Sequence, residues 1–426
     1  MKYKFNDYLL VAQDDNQDII FYDTLNYHTV LIKKEDYNIF NDFRMQILSN
    51  GNYSGPRQNM DLFLEHNIIR SMGDSVHEQL QKRYNEVING KRILSLIILP
   101  TEQCNFRCIY CYEDYKLGKM NEATVDKIIQ LLEKLISEYD ILNLAWFGGE
   151  PLLALDVIGL ISEKAASLCK KYKKAYYSQI TTNGYLLSLD IMNELLRMHT
   201  MVFQITLDGD RDSHNKQRYL ADGSGTYDVI LNNLLMIKRH IKTRTIKIIV
   251  RINVSKDMNA DEINDLAKIF SDDDRFVINI QKIFGDSSTE KVDDDDYRNY
   301  LDIFDKCHKN IMDDLTVDST MCYAAKKSTL MIRSDGTLGK CTVNFEDPNN
   351  NFGNITNIDL STFSLDSIEY CNCTHIKEKC IACCIYPLCF GRQCPAKRYQ
   401  LCKNMIDKYN LVIKSYSSKA HILELI

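Results

Sequence analysis

At 426 residues the chain exceeds one ordinary core, so two or three domains are expected. Its 45% apolar and 26% charged residues are those of a soluble globular protein, and no run is long and apolar enough to span a bilayer. A net charge of −6 gives no general attraction to nucleic acid or anionic lipid, and fifteen cysteines behind a start that lacks a secretory apolar stretch point to cytoplasmic metal binding, not a disulfide framework.

Residues 1–90 read as one unit. Tyr8–Ala12, Asp18–Tyr22 and His28–Lys33 are predicted strands, rich in β-branched and aromatic residues and split by Asp/Asn turns. Helical patterns follow at Lys34–Leu48, Met60–Arg70 and Ser75–Val87. Three strands and then three helices predict a winged-helix-like module. Its 9 Lys and Arg against 13 Asp and Glu, a balance of −4, argue against DNA. The module is either a docking element for another chain or a packing cap.

Residues 91–285 alternate strand and helix. The strands are expected at Ile93–Leu99, Leu142–Phe147, Tyr176–Thr181, Met201–Thr206, Ile246–Asn253 and Phe276–Gln281. Helices lie between them near Glu122–Tyr139, Asp156–Tyr172, Asp190–Met198, Thr226–His240 and Ala260–Phe270. Repeated β-α units imply a parallel α/β sheet, and six of them fit a partial (β/α)6 TIM-type barrel with its chemistry at the C-terminal strand ends. Trp146 and Cys169 fall on core positions.

The first strand runs into Cys104, Cys108 and Cys111, spaced C-x3-C-x2-C. Three thiolates on one loop can hold three irons of a cubane cluster and leave the fourth iron open. A structural zinc site wants four closed ligands, and a ferredoxin run supplies a fourth cysteine. The plain alternative is three unrelated thiols or part of a zinc site. The second strand ends Gly148-Gly149-Glu150-Pro151, where the glycines let a ligand approach the backbone closely and the carboxylate can pair with a cation. The later strands end in Thr182-Asn183, in Thr206 and Asp208 with Arg218 beyond, and in Arg251. Such hydroxyl, amide and guanidinium groups suit a ribose and a carboxylate; turn caps and surface ion pairs use the same residues.

Residues 286–426 differ in character. An acidic run at 290–296 reads as a solvated helix start, and a helix is expected through Ile311. Ten cysteines then lie between Cys322 and Cys402 in a segment of little regular periodicity. Such a segment buries little apolar surface, so metal clusters are its expected organisers.

The cysteine triad, with Tyr110 before its last cysteine and Gly-Gly-Glu-Pro at the next strand end, resembles the radical S-adenosylmethionine (SAM) enzymes. The resemblance implies that Cys104, Cys108 and Cys111 bind a [4Fe–4S] cluster and that SAM takes the open iron. It assigns the SAM ammonium to Gly148, Gly149 and Glu150, and the adenine amino group to the backbone of Tyr110. The ribose and carboxylate of SAM fall to Thr182, Asn183, Thr206, Asp208, Arg218 and Arg251. The cysteines Cys322, Cys341, Cys380, Cys383, Cys389, Cys394 and Cys402 resemble the SPASM extension of peptide and protein maturases. That likeness implies two further [4Fe–4S] clusters: an outer one on Cys380, Cys383, Cys389 and Cys402, and an inner one on Cys322, Cys341 and Cys394. The inner one would be short by one ligand, which Cys307, Cys371, Cys373 or Cys384 could supply. Four residues, 390–393, stand where that pattern usually has three.

By the same resemblance, residues 1–90 would be the recognition element of a ribosomal-peptide maturase, binding the leader of a precursor peptide as an added strand. Residues 91–285 would be the radical SAM barrel and 286–426 the C-terminal cysteine-rich iron–sulfur domain. The implied reaction is hydrogen abstraction from the peptide by a 5′-deoxyadenosyl radical, to install a thioether or carbon–carbon cross-link, with epimerisation and decarboxylation as other outcomes of the same step. A flavodoxin or ferredoxin would donate the electron. The alternatives are an anaerobic sulfatase-maturating enzyme, in which an Asp follows the cysteine where this chain has Thr342, and a non-catalytic iron–sulfur protein that binds peptide.

Overall fold

The structure is a computed structural model that describes residues 2–255, 258, 260–283, 321–370, 378–391, 413–414 and 420–426. The expected acidic helix start, the helix through Ile311, and Cys307, Cys371, Cys373, Cys394 and Cys402 lie outside the described residues. Among the described residues no helix is long and apolar enough to cross a membrane.

The chain opens with a short strand, β1 (Tyr3–Phe5), and then an antiparallel meander of β2 (Leu9–Gln13), β3 (Ile19–Asp23) and β4 (His28–Ile32). Helices α1 (Tyr37–Asn50) and α2 (Arg57–Glu65) follow, then β5 (Ile69–Ser71), which pairs with β1, and α3 (His77–Ile88). The alternation of the meander sends Phe21, Val30 and Ile32 to one face, against Phe40, Phe43, Ile47 and Phe63 of α1 and α2. Leu10, Ala12, Ile20, Tyr22 and Leu31 take the other face. The three expected strands and three helices are present. The end of the expected second helix, at Ile69 and Arg70, belongs instead to β5.

Six strands then alternate with helices: β6 (Ile93–Thr101), α4 (Glu122–Leu135), β7 (Ile141–Gly148), α5 (Leu155–Tyr172), β8 (Ala175–Thr182), α6 (Leu189–Arg197), β9 (Thr200–Thr206), α7 (Arg211–Gln217), α8 (Tyr227–His240), β10 (Lys247–Val254), α9 (Ala260–Phe270) and β11 (Phe276–Lys282). All six are parallel and neighbour one another in sequence order. This is the expected α/β arrangement of repeated units. Two further strands complete an eight-stranded sheet: β12 (Thr329–Ile332) pairs parallel with β6, and β13 (Leu338–Gly339) pairs antiparallel with β12. The core between sheet and helices holds Leu96, Ile98, Leu144, Trp146, Phe203 and Val250, with Cys169 at its margin on α5.

The last strand, β14 (His421–Leu423), returns to the N-terminal sheet and pairs parallel with β4. The described residues form two compact units. One holds residues 2–87 and 321–323 with the described residues from 378 onward; the other holds the described residues of 88–283 and 324–370.

Candidate active site and metal centre

The parallel strands end together, and the loop after β6 is fastened over their ends. Arg107 N–H donates to the Tyr219 carbonyl (2.8 Å), Ile109 N–H to that of Gln217 (3.0 Å), and Ala221 N–H to that of Asn105 (3.0 Å). Phe106, fully buried, anchors the loop in the core. Cys104 and Cys108 are half-buried and Cys111 is exposed, so the trio opens outward. Burial, with the nearby Glu150 carboxylate and the other two thiols, pushes the Cys104 thiol up to about 12; burial also raises Cys108. A thiolate trio there needs positive charge to offset these costs, and the irons of a cluster supply it. The donor set therefore fits an iron–sulfur group. Among the described residues no three His, Cys, Asp or Glu side chains are placed to hold a single metal ion.

The two glycines at the end of β7 face this loop. A Cβ on Gly148 would overlap the Thr101 carbonyl, and one on Gly149 the Gln103 carbonyl; Gly148 also has φ +116°. The close neighbour that they admit is the backbone of the cysteine loop itself. Glu150 N–H donates to the Gln103 carbonyl (2.9 Å), tying the two segments together.

Glu150 is fully buried, and burial raises its pKa despite three donors. Oε1 accepts from Leu152 N–H (3.0 Å) and Thr182 Oγ1 (2.7 Å), and Oε2 accepts from Asn183 N–H (2.7 Å). A carboxylate accepts about four hydrogen bonds, so roughly one acceptor position remains. Asn183 Nδ2 donates to Asn105 Oδ1 (2.8 Å) and lies 3.9 Å from Cys104 Sγ. Strands β7 and β8 thus hold one side of the thiol trio.

A second network closes the other side. Tyr110 Oη donates to Asp208 Oδ2 (2.5 Å) and accepts from Arg218 Nη1 (2.7 Å) and Asn253 Nδ2 (3.1 Å). Asp208 Oδ1 accepts from Asn253 N–H (2.7 Å). Burial raises both Tyr110 and Asp208, with the Arg218 charge opposing it. Among the described residues Arg218 Nε is buried with no hydrogen-bond partner, a donor still to be spent. Arg251 Nε donates to Asn253 Oδ1 (2.8 Å), and Thr206 lies buried opposite Arg251 in register.

His214 holds this network from behind. Its Nδ1 accepts from Asp208 N–H (3.1 Å), so its Nε2 carries the proton toward Thr226 Oγ1 (3.0 Å). Burial, reinforced by the Arg218 charge, pushes His214 down to about 2, so it is neutral. Asn253 stands in the expected strand-end stretch, whereas Asn105 and the supporting role of His214 were not expected; the Asp210 cap on Ser213 N–H is a local sign of α7.

On the outer side of the loop, the buried Glu102 receives Arg333 through Nε (3.1 Å) and Nη2 (2.6 Å). Glu113, nearly buried, has one oxygen without a partner among the described residues; burial and then the Glu102 charge push its pKa up to about 8.

The later cysteines divide between the units. Cys341 lies in the parallel-sheet unit, where Asn350 holds its backbone at both N–H (2.9 Å) and carbonyl (2.8 Å). Cys322, Cys380, Cys383 and Cys389 lie in the other unit, where Cys383 N–H donates to the Cys380 carbonyl (3.0 Å). There Tyr8 Oη donates to the Ile381 carbonyl and Thr24 Oγ1 to that of Cys384, and Ile385 and Leu388 pack on the meander.

Residues 98–270, less than half of the chain, match the model of the radical SAM superfamily. A radical SAM cyclopropyl synthase, TigE of Paramaledivibacter caminithermalis, is 26% identical over 183 residues, 39% of this chain and 37% of that one. A cysteine-type anaerobic sulfatase-maturating enzyme of Clostridium novyi is 24% identical over 239 residues, 52% of this chain and 61% of that one. The chain thus spans less than two thirds of either relative. SuiB of Streptococcus suis bound to S-adenosylmethionine shares the fold at TM-score 0.52 and 16% identity, over 92% of this chain and 96% of SuiB; SuiB has also been solved bound to its precursor peptide SuiA.

Proposed function

From the radical SAM match at residues 98–270, we propose that this chain is a maturase of a ribosomally made peptide, joining two of its residues through a thioether or a carbon–carbon bond. The carrying observation is the convergence of Cys104, Cys108, Glu150, Asn183, Tyr110, Asp208 and Arg218 at neighbouring strand ends. When bound to Cys104, Cys108 and Cys111, a [4Fe–4S] cluster with SAM supplies one-electron chemistry and a 5′-deoxyadenosyl radical. The protein's own work is placement. Glu150 has an acceptor position for an ammonium, and Arg218 Nε a donor for a carboxylate. Phe106 and the strand ends keep water from the floor of the site.

Residues 1–90 support a peptide substrate, since a strand meander backed by helices accepts an extended chain along its edge. We read them as a winged-helix-like recognition element for a leader. Cys322, Cys341, Cys380, Cys383, Cys389, Cys394 and Cys402 would hold two auxiliary clusters, and a flavodoxin or ferredoxin would donate electrons. The likeness to the Clostridium novyi enzyme keeps a second reading open, oxidation of one side chain on a protein substrate.

Anaerobically reconstituted protein tests the reading. Reduced protein with SAM should form 5′-deoxyadenosine, and the precursor peptide should lose a pair of hydrogens. Three clusters bring about twelve irons per chain, and replacing Cys104, Cys108 and Cys111 with Ala should remove about four of them. A total near four irons would remove the auxiliary clusters, and absence of 5′-deoxyadenosine would remove the enzyme.

A further inference from the structure

The outer edge of β4 is not bare. Residues His421, Ile422 and Leu423 lie along it in parallel register with Val30, Leu31 and Ile32. The segment is held by three features that read an extended peptide. Leu423 and Leu425 enter the apolar layer formed by Phe21, Val30, Ile32, Phe40 and Phe63, while Ile422 and Ile426 point out and are about half exposed. Asn59, fully buried on α2, grips the backbone of Ile426 from both sides: Nδ2 donates to its carbonyl (2.7 Å) and Oδ1 accepts from its N–H (3.0 Å). The His421 ring stacks on that of His66, with centroids 4.5 Å apart.

Only two side chains of this segment are buried, at positions separated by one residue. The backbone is recognised by β4 and by an amide whose donor and acceptor would suit any residue. A groove built in this way selects for an extended segment with two aliphatic residues spaced i, i+2, and is indifferent to the residue between them.

We propose that this groove is the docking site for an aliphatic-x-aliphatic segment of the substrate peptide, and that residues 420–426 occupy it as an internal competitor which the substrate displaces. The inference rests on the peptide-maturase reading and adds the pattern recognised and the competition. A tethered competitor acts at an effective concentration of about 1 mM. If its own affinity for the groove is about 10 µM, it weakens a free peptide of equal affinity about 100-fold.

The test uses the full chain, loaded with iron. The probe is a fluorescein-labelled peptide copying residues 420–426, Ala-His-Ile-Leu-Glu-Leu-Ile. Its affinity should rise about 100-fold when the internal segment is disabled by the double substitution Leu423→Asp and Leu425→Asp. The same peptide with Asp at both buried leucine positions should not bind. Amide hydrogen exchange on the wild-type chain guards against a misfolded variant. Excess unlabelled peptide should speed exchange at 421–426 and leave Val30–Ile32 protected. No binding to the folded variant, or wild-type exchange unchanged by the peptide, would make β14 a fixed strand and overturn the proposal. Formation of 5′-deoxyadenosine, followed in parallel, separates the two claims: its persistence with no docking leaves the maturase reading standing, whereas its loss with docking intact removes the reading and keeps the groove.

Discussion

The hydroxyl of Tyr110, on the cysteine loop, donates to the carboxylate of Asp208, just past the end of β9, across 98 positions of sequence. This bond, with those from Arg218 and Asn253 to the same oxygen, fastens the loop to strands that it does not adjoin in sequence. Tyr110→Phe removes the hydroxyl and leaves buried polar groups short of partners, a cost of about 1–3 kcal/mol. We expect SAM affinity to fall about tenfold or more, with iron retained, as read by calorimetric titration of the reconstituted protein.

Gly149 is filled on its open side by the backbone of Gln103 and Glu102. A backbone neighbour cannot swing away as a flexible side chain would. Gly149→Ala should therefore push the cysteine loop off β7 and lower bound iron by about four per chain, while the helices keep their circular dichroism. A variant with wild-type iron content would mean that the loop has room to shift.

Glu150→Gln places an amide NH2 where donors already converge from Thr182, Leu152 and Asn183. At least one buried donor is left facing another. Stability should drop by about 1–3 kcal/mol, and SAM binding about ten- to a hundredfold. Thermal unfolding and SAM titration on one preparation check both. An unchanged midpoint with weakened binding would assign Glu150 to the ligand alone.

The imidazole stack gives a pH dependence. Burial, and then the charges of His421 and His28, hold His66 below the ordinary histidine value, with Glu65 opposing. As pH falls, the unfolded chain takes up this proton first. The contribution is intact above about pH 6.5 and is lost as pH falls through that value toward the lower folded one. Amide protection at 421–423 should therefore weaken on acidification from about pH 7.5 to 5.5, beyond the intrinsic exchange rate. His66→Gln should flatten that response.

Most of the parallel sheet was legible because each strand is an apolar run closed by polar residues at its functional end. Ile93–Thr101 and Lys247–Val254 begin and end within two residues of expectation. The α7 helix escaped because Arg-Asp-Ser-His-Asn-Lys-Gln has no apolar period, although it buries His214 and Gln217. Strands of three residues, β1, β5 and β14, are too short to show an alternation. The grip of Glu102 on Arg333 joins residues 231 positions apart, a distance at which one sequence carries no pairing signal. In the triad region the residue types were readable, but their partners were not. The glycines at the end of β7 also pack against the loop backbone, a role that their sequence did not reveal.

The strand β12 has a practical consequence. It covers the outer edge of β6, whose sequence Ile-Leu-Ser-Leu-Ile-Ile-Leu-Pro-Thr is almost wholly apolar. Without that cover, the strand that begins the sheet would offer a ladder of unpaired amides and carbonyls to any other chain, the ordinary template for aggregation. The stretch that matches the superfamily, residues 98–270, does not reach this covering strand. Anyone shortening this protein should expect insoluble material from a chain that stops before Thr329, and soluble material only from one that also carries the β12–β13 hairpin.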